Sequence, residues 1–208
     1  MLLVPAPGTG TPTQAALGSA GKTLSLRLAA FGLKNANVVE LTSGNQPALQ
    51  VEVPHFGSDE RAILGTLLEV GQLAFWSTGL QPVPEDSTFD PTQFTQYNSA
   101  GKPHFTGADL DPSQIRVGSD QTSYATILFS MKGPAIARFG AFTQQNIGTY
   151  LTLTLDLQVS QSAIIQSAIN GPAQMTGNFT RQQATALVSV LKYPPLPVVL
   201  HISSEIPF

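Results

Sequence analysis
NVVELTSGNQPALQVEV, residues 37 to 53, sets two short apolar-rich runs around a cluster of turn formers. Asn37–Leu41 and Ala48–Val53 predict two strands, joined through Thr42-Ser43-Gly44-Asn45-Gln46-Pro47. Upstream, Thr11-Pro12-Thr13-Gln14 predicts a helix start: Thr11 as cap, Pro12 at the first helical position, Gln14 three after the cap. Ala15, Leu17, Leu24, Leu26, Leu28 and Phe31 give that helix its apolar positions, and Gly32 stops it. Before it, Met1–Val4 reads as a buried strand. Downstream, Ser58 or Asp59 caps a second helix carrying Ile63, Leu64, Leu67 and Leu68; Gly71 ends it and Leu73–Trp76 is a strand.

The order over residues 1 to 77 is thus β-α-β-β-α-β, the split βαβ or ferredoxin-like motif. Residues 78 to 107 break the pattern. Pro82, Pro84, Pro91, Gly101, Pro103 and Gly107 punctuate them, and they read as a long connecting loop. A second series follows. Asp111-Pro112-Ser113-Gln114 caps a short helical turn, and Tyr124–Phe129 is a strand. Ala135–Thr143 is helical, with Ile136, Phe139 and Phe142 on one side. Thr149–Leu155 alternates as a half-buried strand. Val159 leads into a helix over Gln161–Asn170, and Ala173–Thr176 is a strand. Residues 123 to 177 therefore repeat β-α-β-β-α-β. Thr180-Arg181-Gln182-Gln183 is a capping box for a last helix with Ala184, Leu187, Val188 and Leu191 as its stripe. Leu196–Ile202 is a strand in which Pro197 argues for a strand start or a sheet edge.

The 208 residues contain no cysteine, which excludes a disulfide scaffold, thiolate metal sites and a cysteine nucleophile. Ten Lys+Arg against 13 Asp+Glu give no electrostatic footprint for nucleic acid. No stretch reaches the roughly 18 apolar residues of a membrane span. Met1-Leu2-Leu3-Val4-Pro5 is too short for a signal segment and lacks a basic flank, so the chain reads as soluble. A Met set directly on an apolar run reads as the start of an excised segment. Only 11% of residues are charged, against about 25% in an ordinary globular protein. From Phe139 to Thr180 the single formal charge is Asp156. So neutral a surface suits weak, sequence-tolerant contact with extended polypeptide.

Other motifs have plainer readings. Gly18-Ser19-Ala20-Gly21-Lys22-Thr23 imitates a phosphate loop, but Ala16 stands where its first glycine belongs and the segment lies in a helical pattern. His55, His104 and His201 are scattered, and no nucleophile elbow accompanies them. Asp109 and Asp111 read as cap residues, not as an acid pair. Asn178-Phe179-Thr180 is a formal glycosylation sequon whose Thr is already a helix cap.

An ordered set of short motifs resembles the SecD family, membrane subunits of bacterial preprotein export. Thr106-Gly107-Ala108-Asp109-Leu110 resembles its T-G-x-D-L. Phe139, Thr143 and Asn146-Ile147-Gly148 fit F-x3-T-x2-N-x-G. Leu153-Thr154-Leu155-Asp156 with Val159 resembles I-x-L-D-G-x-V. Ile169-Asn170-Gly171 and Met175 to Thr180 fit I-x-G and I-x-G-x-F-T, and Gln183-Ala184 with Leu191 to Pro197 fits E-A…L-x4-L-P. Nearer the N-terminus, Arg27 to Leu33 resembles R-V-N-x-L-G-V, Val51 to Pro54 resembles V-x-L-P-G, and Leu73-Ala74-Phe75 resembles L-E-F. Ala29, His55, Leu157 and Ile164 depart from the pattern. Leu157 replaces the Gly of an Asp-Gly turn, which predicts a longer or bulged loop at Asp156–Gln158.

The resemblance implies an α+β protein: a ferredoxin-like base, residues 1–77 and 179–208, with an inserted α+β head over 108–178. Residues 78–107 would connect them, with Gly107, Gly177 and Asn178 as candidate hinges. It implies contact with unfolded preprotein, and Phe139, Phe142, Tyr150, Ile164 and Ile165 are the candidate contact region. A SecF-like subunit and the Sec translocon channel are the implied partners. The domain would lie on the extracytoplasmic side of the cell membrane, attached to it through the rest of the protein. It would need no cofactor and no metal, and would have no catalytic residue. The other readings are a stand-alone soluble peptide-binding module of the same fold and a small enzyme built around a histidine.

Overall fold
A computed structural model describes residues 1–8, 11–43, 46–55, 57, 59–119 and 124–204. The elements begin β1 (Leu2–Pro5), α1 (Gln14–Phe31), β2 (Asn37–Ser43), β3 (Gln46–Glu52), α2 (Glu60–Leu68), β4 (Leu73–Gly79) and β5 (Phe105–Thr106). They continue β6 (Arg116–Ser119), β7 (Ala125–Phe129), α3 (Pro134–Gln145), β8 (Tyr150–Leu155), β9 (Gln158–Ile164), β10 (Ala173–Phe179), α4 (Arg181–Leu191) and β11 (Leu200–Ser204). They fall into two compact units, Met1–Gly71 with Thr185–Phe208, and Gln72–Ala184.

The first unit is the ferredoxin-like base. Its antiparallel sheet has the order β11-β1-β3-β2. The opening hairpin forms, with Asn37 opposite Glu52 through Ser43 opposite Gln46; Gly44 and Asn45 lie outside the described residues. Leu3, Leu17, Leu24, Leu28, Leu49, Ile63 and Leu67 form its core. The cap of α1 is Thr13, not Thr11: its Oγ1 accepts the Ala16 N–H at 3.2 Å. Pro12 therefore precedes the helix. Gly32 ends it with φ 116°, a left-handed value that glycine adopts without strain. Gly18 to Thr23 lie inside α1, which excludes a phosphate loop. At the start of α2 the cap position is Asp59; Ser58 lies outside the described residues.

Leu73–Trp76, expected to close this sheet, does not. It belongs to β4, which pairs with β5 and β8 in the second unit, and β11 takes the fourth place in the base. All seven residues of β4 are buried. The apolar run Leu73–Trp76 suits any covered sheet, so its sequence does not name a partner. β11 starts only at Leu200, beyond Pro197, and forms the sheet edge.

The second unit holds two antiparallel sheets, β5-β4-β8-β9 and β10-β7-β6. Phe75 of β4 makes edge contacts with Phe105, Phe129 and Phe139 at centroid distances of 6.4, 5.8 and 6.1 Å. The expected helix over Gln161–Asn170 is absent: β9 occupies Gln158–Ile164 and irregular chain follows. The reason is the tight β8–β9 turn. Leu155 pairs with Gln158, leaving Asp156 and Leu157 as a two-residue loop with φ of 51° and 67°. Both angles are left-handed, as a type I′ turn requires, so the loop itself is not lengthened and Leu157 takes the glycine's conformation; the hairpin's irregularity lies beside the turn, where Thr154 pairs with Val159 but Leu153 with Gln161. β8 is also not half-buried. Thr152 and Thr154 are buried too, the latter accepting from Trp76 Nε1 at 3.0 Å. Residues 78–107 cover that face. Trp76, Phe89, Phe94 and Val159 form a second core cluster there, with Phe89 and Phe94 stacked at 5.4 Å.

Candidate functional site
An open groove of about 600 Å³ lies in the second unit. One wall is a row on α3, Arg138, Ala141, Phe142 and Gln145, continued by Asn146. Their spacing of three and four places them on one helix face. Gln96, Tyr97, His104 and Ser77 complete the lining.

Asn98 positions the Gln96–Tyr97 segment. It is wholly buried, its Oδ1 accepts the Ser77 N–H at 3.0 Å, and its Nδ2 donates to the Ser77 and Phe94 carbonyls at 2.8 Å each. His104 is held twice: its N–H donates to the Phe75 carbonyl at 2.9 Å, and ring Nε2 donates to the Tyr97 carbonyl at 2.9 Å. That second bond fixes the ring against Phe142, 4.4 Å away between centroids. Arg138 Nη2 donates to Asp109 Oδ1 at 2.6 Å, and its guanidinium lies 5.4 Å from the Phe105 ring centre. Asp109 Oδ2 also accepts the Thr106 N–H at 2.9 Å, so Asp109 is cap and counter-ion together.

The groove offers aromatic platforms and side-chain amides. The amides of Gln96, Gln145 and Asn146 donate and accept, the pattern that matches a peptide main chain. Among the described residues no three His, Cys, Asp or Glu side chains gather to hold a metal ion. The histidines stay dispersed, with His55 paired to Glu60 at 2.6 Å and His201 on β11, both in the base.

Of the expected contact residues, only Phe142 lines this groove. Phe139 is buried and faces a separate, smaller cavity with Met131, Ile136 and Ile169. Tyr150 and Ile164 are cross-strand partners at one end of the sheet, where Ile164 is exposed and Ile165 buried. Gly107 opens a 3-10 turn, and Gly177 and Asn178 lie within β10. Tyr97 and His104 were hidden in a segment read as loop. Their signal was the aromatic density of 89–105, which bare connecting chain does not carry.

The chain is thus an α+β protein, a ferredoxin-like base whose sequence is interrupted by a second unit with an open, sparsely charged groove. Comparison with known proteins makes this specific. Residues 85–198 match the family described as SecDF, P1 head subdomain, and the chain belongs to that family. It is 40% identical over 103 residues to protein translocase subunit SecD of Aquifex aeolicus (strain VF5), covering 50% of this chain and 20% of that one. The match spans about a fifth of the length of curated relatives such as this one. Two solved structures at 23% identity share its fold. One is the membrane component SecDF that enhances protein export, with TM-score 0.69 over 100% of this chain and 99% of that chain. The other is SecDF in a super-membrane-facing form, with TM-score 0.72 over 98% and 29%. Among the described residues no helix is long and apolar enough to cross a membrane.

Proposed function
We propose that this chain is the extracytoplasmic part of a membrane-bound protein-export subunit, and that its second unit, the head, holds unfolded preprotein. The carrying observation is the groove between α3 and the 96–104 segment, whose amides and aromatic rings suit any extended chain regardless of sequence. A SecF-like subunit and the Sec translocon channel are the partners in this reading. The proton-driven step belongs to membrane segments outside this chain. Fluorescence anisotropy with a labelled, reduced and carboxymethylated polypeptide tests it. Tyr97→Ala and Phe142→Ala should each weaken binding about tenfold, as loss of a central aromatic contact does. Equal binding by both variants and the parent would remove the groove from the reading.

Movement of the head against the base belongs to the same proposal; Gly107, Gly177 and Asn178, the hinge candidates, all lie within Gln72–Ala184 and not at its junctions with the base, so in this reading they let the head itself flex as it moves. The pairing of β10 with β7 is irregular between Met175 and Phe179, so the strand is least tied there, which supports the last two. A Cβ at Gly177 would come within 2.6 Å of the Phe179 ring. Gly177→Val in the full-length protein should slow export; export at the parent's rate speaks against this hinge.

A further inference from the structure
The groove does not absorb a second surface, at the end of the four-stranded sheet where β4 stops and β8 begins. Gly79 pairs with Tyr150, and Tyr150 with Ile164. Leu80 follows Gly79 directly and is 76% exposed; Ile164 and Ile147 are each 48% exposed. The loop carrying Ile147 is tied to the same end, because Gly148 N–H donates to the Ile165 carbonyl and Ile165 N–H to the Thr149 carbonyl, both at 2.9 Å. Tyr97 packs on the backbone at Gly79 so closely that an added Cβ would strike its ring. No Asp, Glu, Lys or Arg occurs in 76–84, 91–101, 139–155 or 157–180, the segments that build this end.

We propose that this end of the second unit rests on a lipid bilayer surface. Leu80, Ile147 and Ile164 enter the interface, and Tyr97 and Tyr150 sit at headgroup level, where a ring with one polar tip is favoured. Protruding aliphatic side chains need a yielding partner; an extended peptide is better held by a concavity such as the groove. With no basic residue in these segments, attraction to anionic lipid is not the driving force, and zwitterionic lipid suffices. The inference rests on the reading of this chain as a domain of a membrane-bound subunit.

The test adds the 208-residue chain carrying Leu80→Trp to phosphatidylcholine vesicles, with the buried Trp76 of the parent as baseline. A blue shift of the added tryptophan that high salt does not reverse is expected. The double variant Leu80→Asp/Ile147→Asp should partition at least about tenfold less, since partition follows the apolar area buried, and should still bind carboxymethylated polypeptide. No shift, or binding only to vesicles containing phosphatidylglycerol, overturns the proposal. So does a double variant that loses polypeptide binding but keeps vesicle binding. A parent that binds vesicles and no polypeptide would instead sink the groove reading and leave this one standing.

Discussion
Arg27 has no exposed surface. Its Nη1 donates to the carbonyls of Leu67 and Glu69 at 3.1 and 2.5 Å, and its Nη2 to those of Val70 and Pro194 at 2.8 and 3.4 Å. The last carbonyls of a helix have no partner within it. Arg27 supplies donors and positive charge at the end of α2, where no glycine does so. Arg27→Ala should cost about 3–5 kcal/mol in urea unfolding, because it strands several carbonyls at about 1–3 kcal/mol each. A loss below about 1 kcal/mol would mean water replaces the guanidinium. Leu157 shows the opposite sign. A left-handed side-chain residue carries about 1–2 kcal/mol of strain, part of which glycine's greater freedom in the unfolded chain takes back. Leu157→Gly should therefore stabilise the protein by up to about 1 kcal/mol. A lowered melting temperature would show that Leu157 makes contacts worth more than its strain.

Two short turns share one recipe. Asp90-Pro91-Thr92-Gln93 and Asp111-Pro112-Ser113-Gln114 each place Asp as cap and Pro first in a 3-10 turn. The Asp90 carboxyl is held below its ordinary value by the Thr92 hydroxyl, then by the Thr92 N–H and Gln93. Asp111 is lowered in the same way by the Ser113 hydroxyl and N–H. A carboxyl lowered by folding stabilises the native state above its unfolded value, near 3.8, and that gain vanishes as pH falls through the folded value. Asp90→Asn/Asp111→Asn should thus flatten the fall in melting temperature below about pH 4 and change it little at neutral pH, because Asn caps as well. An unchanged acid slope would assign it to other carboxylates. Such local chemistry is what the sequence displays best: the Thr180–Gln183 box forms, with Thr180 Oγ1 accepting from Gln183 N–H at 3.2 Å. Pairing is harder to read. β4 opens on four apolar residues, Leu73 to Trp76, and would suit either sheet. β9, S-Q-S-A-I in its body, carries no strong strand pattern and is decided by a turn whose glycine is missing.

For the whole chain, the elements from β1 to α2 were legible because α1 and α2 each carry a cap or stop signal and an apolar stripe, whereas the fourth strand of the base, β11 and not β4, was not. The groove was not, because it needs Tyr97, His104 and Phe142 brought together across about 45 residues of intervening chain, and no local pattern encodes that. Each unit has its own core. Leu67→Ala should lower the transition of the base, and Phe89→Ala that of the second unit, by about 2–5 kcal/mol each. Calorimetry that finds one transition moved equally by both would join the units into one folding body. The interrupted base has a further consequence for synthesis. Gln72–Ala184 is continuous in sequence, whereas β1 waits for β11, nearly the full chain length away. As the polypeptide emerges N-terminus first, the inserted unit can complete itself while the base still lacks its last strand. Until residue 204 arrives, β1 presents an open ladder edge, the kind of edge that recruits foreign strands. Nascent chains stalled between 184 and 204 should be the ones most in need of a chaperone.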